Sequence, residues 1–358
     1  MSQPLKVAVA GLGRMGQIHA LHLHELMHET DLCQLTALAE TNSDRASCFM
    51  NEIGHQVPVF SSIEELARAG VCEATILVTQ TDLHREHAAI LIAAGQRVLV
   101  EKPLTGTLEG DREFAAELDR DYPNALMLAL QRRFDAPLQY AKRLTDDGLI
   151  GRVFKIYSAL EDSNPVPKGY VSGGLLNDMS VHNVDEVLWL TGRMPEKALA
   201  IGTRIYSHRL ATIEEDFDDA LLYMWFSDEL VAQVQVGRNH VSGYRVETIL
   251  FGEEGQIHVG RFEGKPFDVV VEAYGRRGRA EPLVYERFAM RDYGRPLPEF
   301  VDRFGAAYKS ELAAFIDCCR ENAPFPTSHR DSLRAQQVIS AGLKASMGRE
   351  QAARVDPI

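Results

Sequence analysis

An apolar run, Leu5-Lys6-Val7-Ala8-Val9-Ala10, leads directly into Gly11-Leu12-Gly13-Arg14-Met15-Gly16, and a helical pattern follows through His28. A strand that delivers G-x-G-x-x-G into a helix constrains the fold more than any other feature of this chain, because each glycine answers a backbone demand. The first permits a tight turn, the second lets the backbone approach a pyrophosphate, and the third lets helix and strand pack closely, with phosphate at the helix N-terminus. The run from Leu5 to Gly11 therefore reads as the first central strand of a parallel sheet, buried on both faces. Gly11, Leu12, Gly13, Arg14, Met15 and Gly16 are the expected dinucleotide cradle. A second apolar run, Cys33 to Ala39, ends on Glu40, about 20 residues past the glycines, where a carboxylate bonds the adenosine ribose hydroxyls. Glu40 favours NAD and repels a 2'-phosphate, while nearby Arg45 leaves NADP open.

The alternation continues with helices at Ser43 to Ile53, Ser62 to Ala69, Leu83 to Ala94 and Glu109 to Asp119, and strands at Ala74 to Val78, Arg97 to Val100 and Ala125 to Ala129. Such βα repetition predicts a doubly wound parallel sheet with right-handed crossovers. After Gln131 the grammar changes. A helix at Pro137 to Asp147 precedes strand-like runs at Val153 to Ala159, Leu199 to Ile205, Ala220 to Phe226 and Leu230 to Val236, with few helical crossovers. The fold class is α/β: an N-terminal Rossmann dinucleotide-binding domain over 1–130, then a C-terminal α+β domain over 131–358 with an open-faced, mainly antiparallel sheet. Helices at Ala307 to Asn322 and Ser328 to Met347 close the chain, and the pattern leaves open which domain they pack on.

A chain of 358 residues exceeds one core, which agrees with two domains and a cleft. The formal net charge of -13 repels phosphate backbones and anionic membranes, so neither is an expected partner. Five cysteines without C-x-x-C spacing read as reduced thiols of a cytoplasmic protein. The apolar start is too short to span a bilayer and carries no basic n-region or A-x-A site, so neither membrane insertion nor export is expected.

The glycines, together with Glu101-Lys102-Pro103 behind a later strand, resemble the glucose-fructose oxidoreductase / inositol dehydrogenase / rhizopine catabolism (Gfo/Idh/MocA) family. The resemblance spans nearly the whole chain. It includes Val78-Thr79-Gln80-Thr81-Asp82-Leu83-His84, Gln131-Arg132-Arg133-Phe134-Asp135, Gly148-Leu149-Ile150-Gly151, and Gly173-Gly174 followed by Asp178, His182 and Asp185. Near the end, Asp302-Arg303-Phe304, Ala307-Tyr308 and Glu311-Leu312 are similar to the inositol 2-dehydrogenase branch. The resemblance implies an NAD(P)-dependent oxidoreductase acting on CH-OH donors of a polyol or sugar, in dimers or tetramers built through the C-terminal sheet. It adds Thr79, His84, Glu101 and Lys102 to the cofactor site and implies catalytic roles for Lys102, Asp178 and His182.

Oxidising a secondary alcohol needs a base for the hydroxyl proton, a group that stabilises charge on oxygen, and nicotinamide C4 near the carbinol hydrogen. Asp178 and His182 are four residues apart, so on a helix a carboxylate can orient an imidazole and support its cation. His182 is the expected base, Asp178 its partner, and Lys102 the donor to the substrate oxygen. Alone, a D-x-x-x-H pair and a lysine are ordinary surface groups; Gly173-Gly174 and the order of the motifs make them a site. Arg132 and Tyr244 are candidate substrate contacts, and Asp185 either lines the pocket or faces solvent. Asn183 stands where the family often carries Asp, which removes a charge there. The histidines His19, His22, His24 and His28 lack a recognised ligand spacing, so no metal is expected and surface or supporting roles are. The leading reading is a dehydrogenase of an inositol or sugar. The same machinery could serve a nucleotide sugar, glycoside or ketose, and a non-catalytic NAD-binding regulator is a further alternative.

Overall fold

The computed structural model describes residues 3–163, 173–204, 216–241, 243–260, 268–276, 281–290, 293 and 297–347. The chain divides into two compact units: Met1–Asp135 with Phe304–Leu333, and Ala136–Arg303 with Arg334–Ile358.

The first unit holds a six-stranded parallel sheet in the order β3-β2-β1-β4-β5-β6. Its strands are β1 (Leu5–Ala10), β2 (Cys33–Ala39), β3 (Val59–Phe60), β4 (Ala74–Leu77), β5 (Arg97–Val100) and β6 (Leu126–Leu128), with helices α1 (Arg14–Glu29), α2 (Ser43–Ile53), α3 (Ile63–Ala69), α4 (His84–Ala93) and α5 (Leu108–Asp121). Side chains alternate across β1: Val7 and Val9 enter one apolar layer with Leu23 and Phe49, Ala8 and Ala10 the other with Leu91 and Phe114. Burial on both faces is why these strands carry apolar residues at nearly every position. The strand order reverses between β1 and β4, a switch point whose carboxyl ends form the ligand crevice of doubly wound sheets.

The second unit carries eight strands in the order β14-β13-β12-β11-β7-β10-β9-β8. They are β7 (Val153–Glu161), β8 (Lys197–Thr203), β9 (Asp219–Trp225), β10 (Val231–Gly237), β11 (Arg245–Gly252), β12 (Gly255–Val259), β13 (Asp268–Gly275) and β14 (Val284–Ala289). Among the described residues of this sheet, only β7 and β10 pair in parallel. The expected strand end at Ile205 lies outside the described residues. Ile156, Leu222, Val234, Leu250 and Ile257 point into a core shared with α6 (Ala136–Asp146) and α7 (Val181–Thr191). Phe154, Ile201, Trp225, Val231 and Tyr285 remain exposed, Ile201 by 52%.

Two closing helices, α8 (Glu299–Glu321) and α9 (His329–Met347), part company. Leu312, Phe315 and Ile316 of α8 enter the first unit's core, whereas Ala335, Val338 and Ile339 of α9 enter the second. The sequence reading placed all of 131–358 in one domain; 304–333 instead folds with the nucleotide-type sheet. An apolar i, i+3, i+4 stripe states that a helix is buried, not against what. Among the described residues no helix is long and apolar enough to cross a membrane.

Candidate active site

The glycine loop is built as its spacing demands. Gly11 has φ +90, and a Cβ there would lie 2.6 Å from the Val78 carbonyl oxygen; a Cβ on Gly16 would lie 1.8 Å from the Gly11 oxygen. Gly13 faces open space within 4 Å and begins α1 without a side-chain cap or an acidic first turn. The first N–H groups of that helix are therefore available to a phosphate. Gly13 and Arg14 are exposed and Met15 half-buried.

Glu40, at the carboxyl end of β2, is 7% exposed. Its Oε2 accepts the Leu12 N–H at 2.8 Å and its Oε1 the Asn42 N–H at 2.8 Å, with Arg45 Nη1 3.3 Å from Oε2. Burial opposes its charge, but the two N–H donors and Arg45 hold the carboxyl below its ordinary value. Leu12 thus serves the loop through its backbone, and Arg45, the reason for leaving NADP open, is already paired with the acid that disfavours it. The open space at Gly13, the uncapped helix and an ionised Glu40 fit an NAD pyrophosphate and ribose.

Beyond β5 lies the Glu101-Lys102-Pro103 segment, whose Lys102–Pro103 bond is cis. Glu101 Oε1 meets His19 Nε2 at 2.7 Å, and Oε2 accepts the Lys102 N–H at 3.0 Å. Burial works against its ionisation, yet His19 and Lys102 hold Glu101 below the usual carboxylate range. His84 is buried, with Nδ1 2.9 Å from the Pro103 oxygen and Nε2 3.1 Å from the Thr79 oxygen. Burial lowers its pKa against those carbonyls, so His84 ties the two loops together through its ring. Thr79 Oγ1 meets His87 Nδ1 at 3.0 Å. Arg132 is buried, its guanidinium 5.5 Å from the Phe304 ring centroid.

Behind Glu101 stands Glu311 of α8, wholly buried. Burial and then the Glu101 charge push its carboxyl well above the ordinary value, with only the Leu130 backbone favouring ionisation. A carboxyl raised by folding contributes its stability in full below the unfolded pKa and loses it as pH rises through the folded one. Wild-type protein is therefore expected to lose thermal stability through this group as pH rises above the ordinary carboxylate range, and Glu311→Gln to flatten that loss. Parallel melting curves with identical pH slopes would refute the assignment.

In the second unit, Asp178 lies in a π-helical turn, Leu176–Ser180, that runs straight into α7. Such wide turns concentrate at functional sites. Asp178 Oδ2 accepts from Arg238 Nη2 at 3.0 Å. His182, 9% exposed, opens α7. Asp185 is buried, which sets aside its solvent-facing alternative. Asn183 is also buried and donates through Nδ2 to Ser158 Oγ at 2.7 Å, next to Glu186, which Ser158 and Thr248 both bond. The residue after the histidine therefore serves the core. Tyr244 packs half-buried against the same core.

His19 and His22 are buried in the first unit, not on its surface, and His19 supports Glu101. His24 and His28 meet at 3.1 Å. Among the described residues no group of three His, Cys, Asp or Glu is placed to hold a metal. Sequence reasoning missed Asp216, Arg238 and the function of His19 and Glu311. Only the Glu311-Leu312 segment carried any signal, as part of the family resemblance.

A glycine loop at the switch point of a doubly wound sheet, with an ionised acid at the end of β2, defines a dinucleotide-binding protein. Residues 5–122 match the family model described as an oxidoreductase family with an NAD-binding Rossmann fold, and residues 138–258 match the GFO/IDH/MocA C-terminal domain. The chain belongs to the Gfo/Idh/MocA family. It is 27% identical over 322 residues to the scyllo-inositol 2-dehydrogenase (NAD(+)) of Bacillus subtilis, covering 89% of this chain and 87% of that protein. It is 24% identical over 356 residues to a myo-inositol 2-dehydrogenase of Thermotoga maritima, covering 99% of each. The crystal structure of scyllo-inositol dehydrogenase from Lactobacillus casei with bound NAD(H) and scyllo-inositol is similar at TM-score 0.79 and 25% identity, over 97% of this chain and 98% of that one.

Proposed function

We propose that this protein is an NAD-dependent dehydrogenase that oxidises one ring secondary hydroxyl of an inositol or related sugar to a ketone. The observation that carries the reading is end-to-end similarity to inositol dehydrogenases, in a chain that carries Lys102, Asp178 and His182 in the expected motifs. The loop Gly11–Gly16 and Glu40 hold the cofactor, and the ionised Glu40 favours NAD over NADP. When bound, NAD supplies the hydride acceptor for the carbinol carbon. His182 takes the hydroxyl proton, Asp178 supports the resulting imidazolium, and Lys102 donates to the carbinol oxygen as negative charge builds on it. Oxidation yields the ketone, reduced cofactor and one proton, which balances the reaction. Thr79 and His84 support this site by fixing loop geometry, and Arg132 and Tyr244 complete the proposed substrate surroundings. Copies of the chain associate into dimers or tetramers through the open sheet face bearing Ile201, Trp225 and Tyr285, in the cytoplasm.

The test is initial-rate formation of reduced nicotinamide by purified protein with NAD, across inositols, aldoses, glycosides and nucleotide sugars. Turnover of an inositol or free sugar supports the proposal. Turnover confined to nucleotide sugars or glycosides moves the substrate class, and tight NAD binding without any turnover overturns the enzyme reading in favour of a regulator.

A further inference from the structure

The geometry points to Arg238 as the positioning residue for the Asp178 carboxylate. This rests on the catalytic reading of Asp178 above and extends it to a residue that no motif marks. Arg238 follows β10 directly, and its side chain is only 6% exposed. Its Nη2 donates to Asp178 Oδ2 at 3.0 Å, and its Nη1 lies 3.6 Å from Asp216 Oδ2. Asp216 in turn accepts the Leu175 N–H through both oxygens, at 2.8 and 3.0 Å, and the Phe217 N–H through Oδ1 at 2.9 Å. The Arg238 N–H donates to the Asp218 oxygen at 3.1 Å.

One guanidinium thus joins the end of β10, the residues before β9, and the turn that opens the catalytic helix. A planar, two-armed cation suits this bridge; a single ammonium does not reach both acids in fixed geometry. Gly174 belongs to the same device. It has φ +99, and a Cβ there would lie 2.8 Å from Asp216 Oδ1, so Gly174 leaves room for the carboxylate that secures Leu175. Removing Arg238 leaves two largely buried carboxylates without their shared counter-charge, and Asp178 loses its fixed acceptor direction.

The experiment compares wild type, Arg238→Ala and Arg238→Lys as full-length proteins, measuring melting temperature, NAD affinity, kcat and KM, activity with added guanidinium, and the crystal structure of Arg238→Lys. Lysine keeps the buried charge and guards against a variant that fails to fold. A misplaced catalytic group of this kind is expected to lower kcat on the order of 100-fold, with NAD affinity unchanged, partial recovery of Arg238→Ala by guanidinium, and a shifted Asp178 carboxylate in Arg238→Lys. Wild-type kcat in either folded variant, or an Asp178 carboxylate that keeps its place without the guanidinium, overturns the inference. If wild type turns over no polyol, the functional reading fails separately, and the Asp178 position in the lysine variant still decides the role of Arg238.

Discussion

His182→Ala is expected to reduce NADH formation by about 100- to 10,000-fold, the usual contribution of a positioned general base, while leaving NAD affinity close to wild type and lowering the melting temperature through the space it empties. The side chain opens α7 and is nearly buried, so its loss removes the proton acceptor without breaking a strand pairing or a cap. Water in the vacated volume is a far weaker base than imidazole near neutral pH. The comparison of kcat with NAD binding matters here. A parallel fall in both would mean that His182 serves the fold, and residual turnover within about tenfold of wild type would remove it from the role of base.

Gly16→Ala is expected to abolish NAD binding and to destabilise the first unit by roughly 3 kcal/mol or more, the upper range for overpacking. The new Cβ would sit 1.8 Å from the Gly11 carbonyl oxygen, and neither partner is a flexible side-chain tip that could swing aside. Relief requires α1 to move away from the turn, which carries the N–H groups of its first turn out of position for a phosphate. Gly13→Ala provides the contrast. Its Cβ meets nothing within 4 Å, so it should cost at most about 1 kcal/mol as a poorer cap and yet weaken NAD binding by occupying the cofactor's side of the loop. Calorimetric titration with NAD and thermal melts of both variants test the pair. Wild-type affinity in Gly16→Ala would dismiss the assignment of this loop to the pyrophosphate.

The first unit is legible because its information is local. The central strands β1, β4 and β5 are buried on both faces over most of their length and therefore almost continuously apolar, and each demand on the loop maps onto one glycine. Glu40 is found from its distance to those glycines, although its bonds to the Leu12 and Asn42 N–H groups are not. The second unit is less legible. Asp216 stands 41 residues from Leu175 and Arg238 60 residues from Asp178 in the chain, and no period or motif joins such partners. The D-x-x-x-H spacing reads as a regular helix, whereas Asp178 occupies a π turn; one extra residue per turn leaves no mark in hydrophobic periodicity. Asn183 illustrates a further limit, since its neighbour in sequence is the proposed base while its side chain serves Ser158 in the core.

The chain passes between its two units at Asp135–Ala136, again at Arg303–Phe304 and again at Leu333–Arg334. A fragment ending at residue 135 would lack Leu312, Phe315 and Ile316 and so expose one face of its own sheet. The second unit of this chain therefore cannot be exchanged as one uninterrupted cassette: a recombinant that keeps the first unit must also keep the 304–333 segment, which the gene encodes only after most of the second unit.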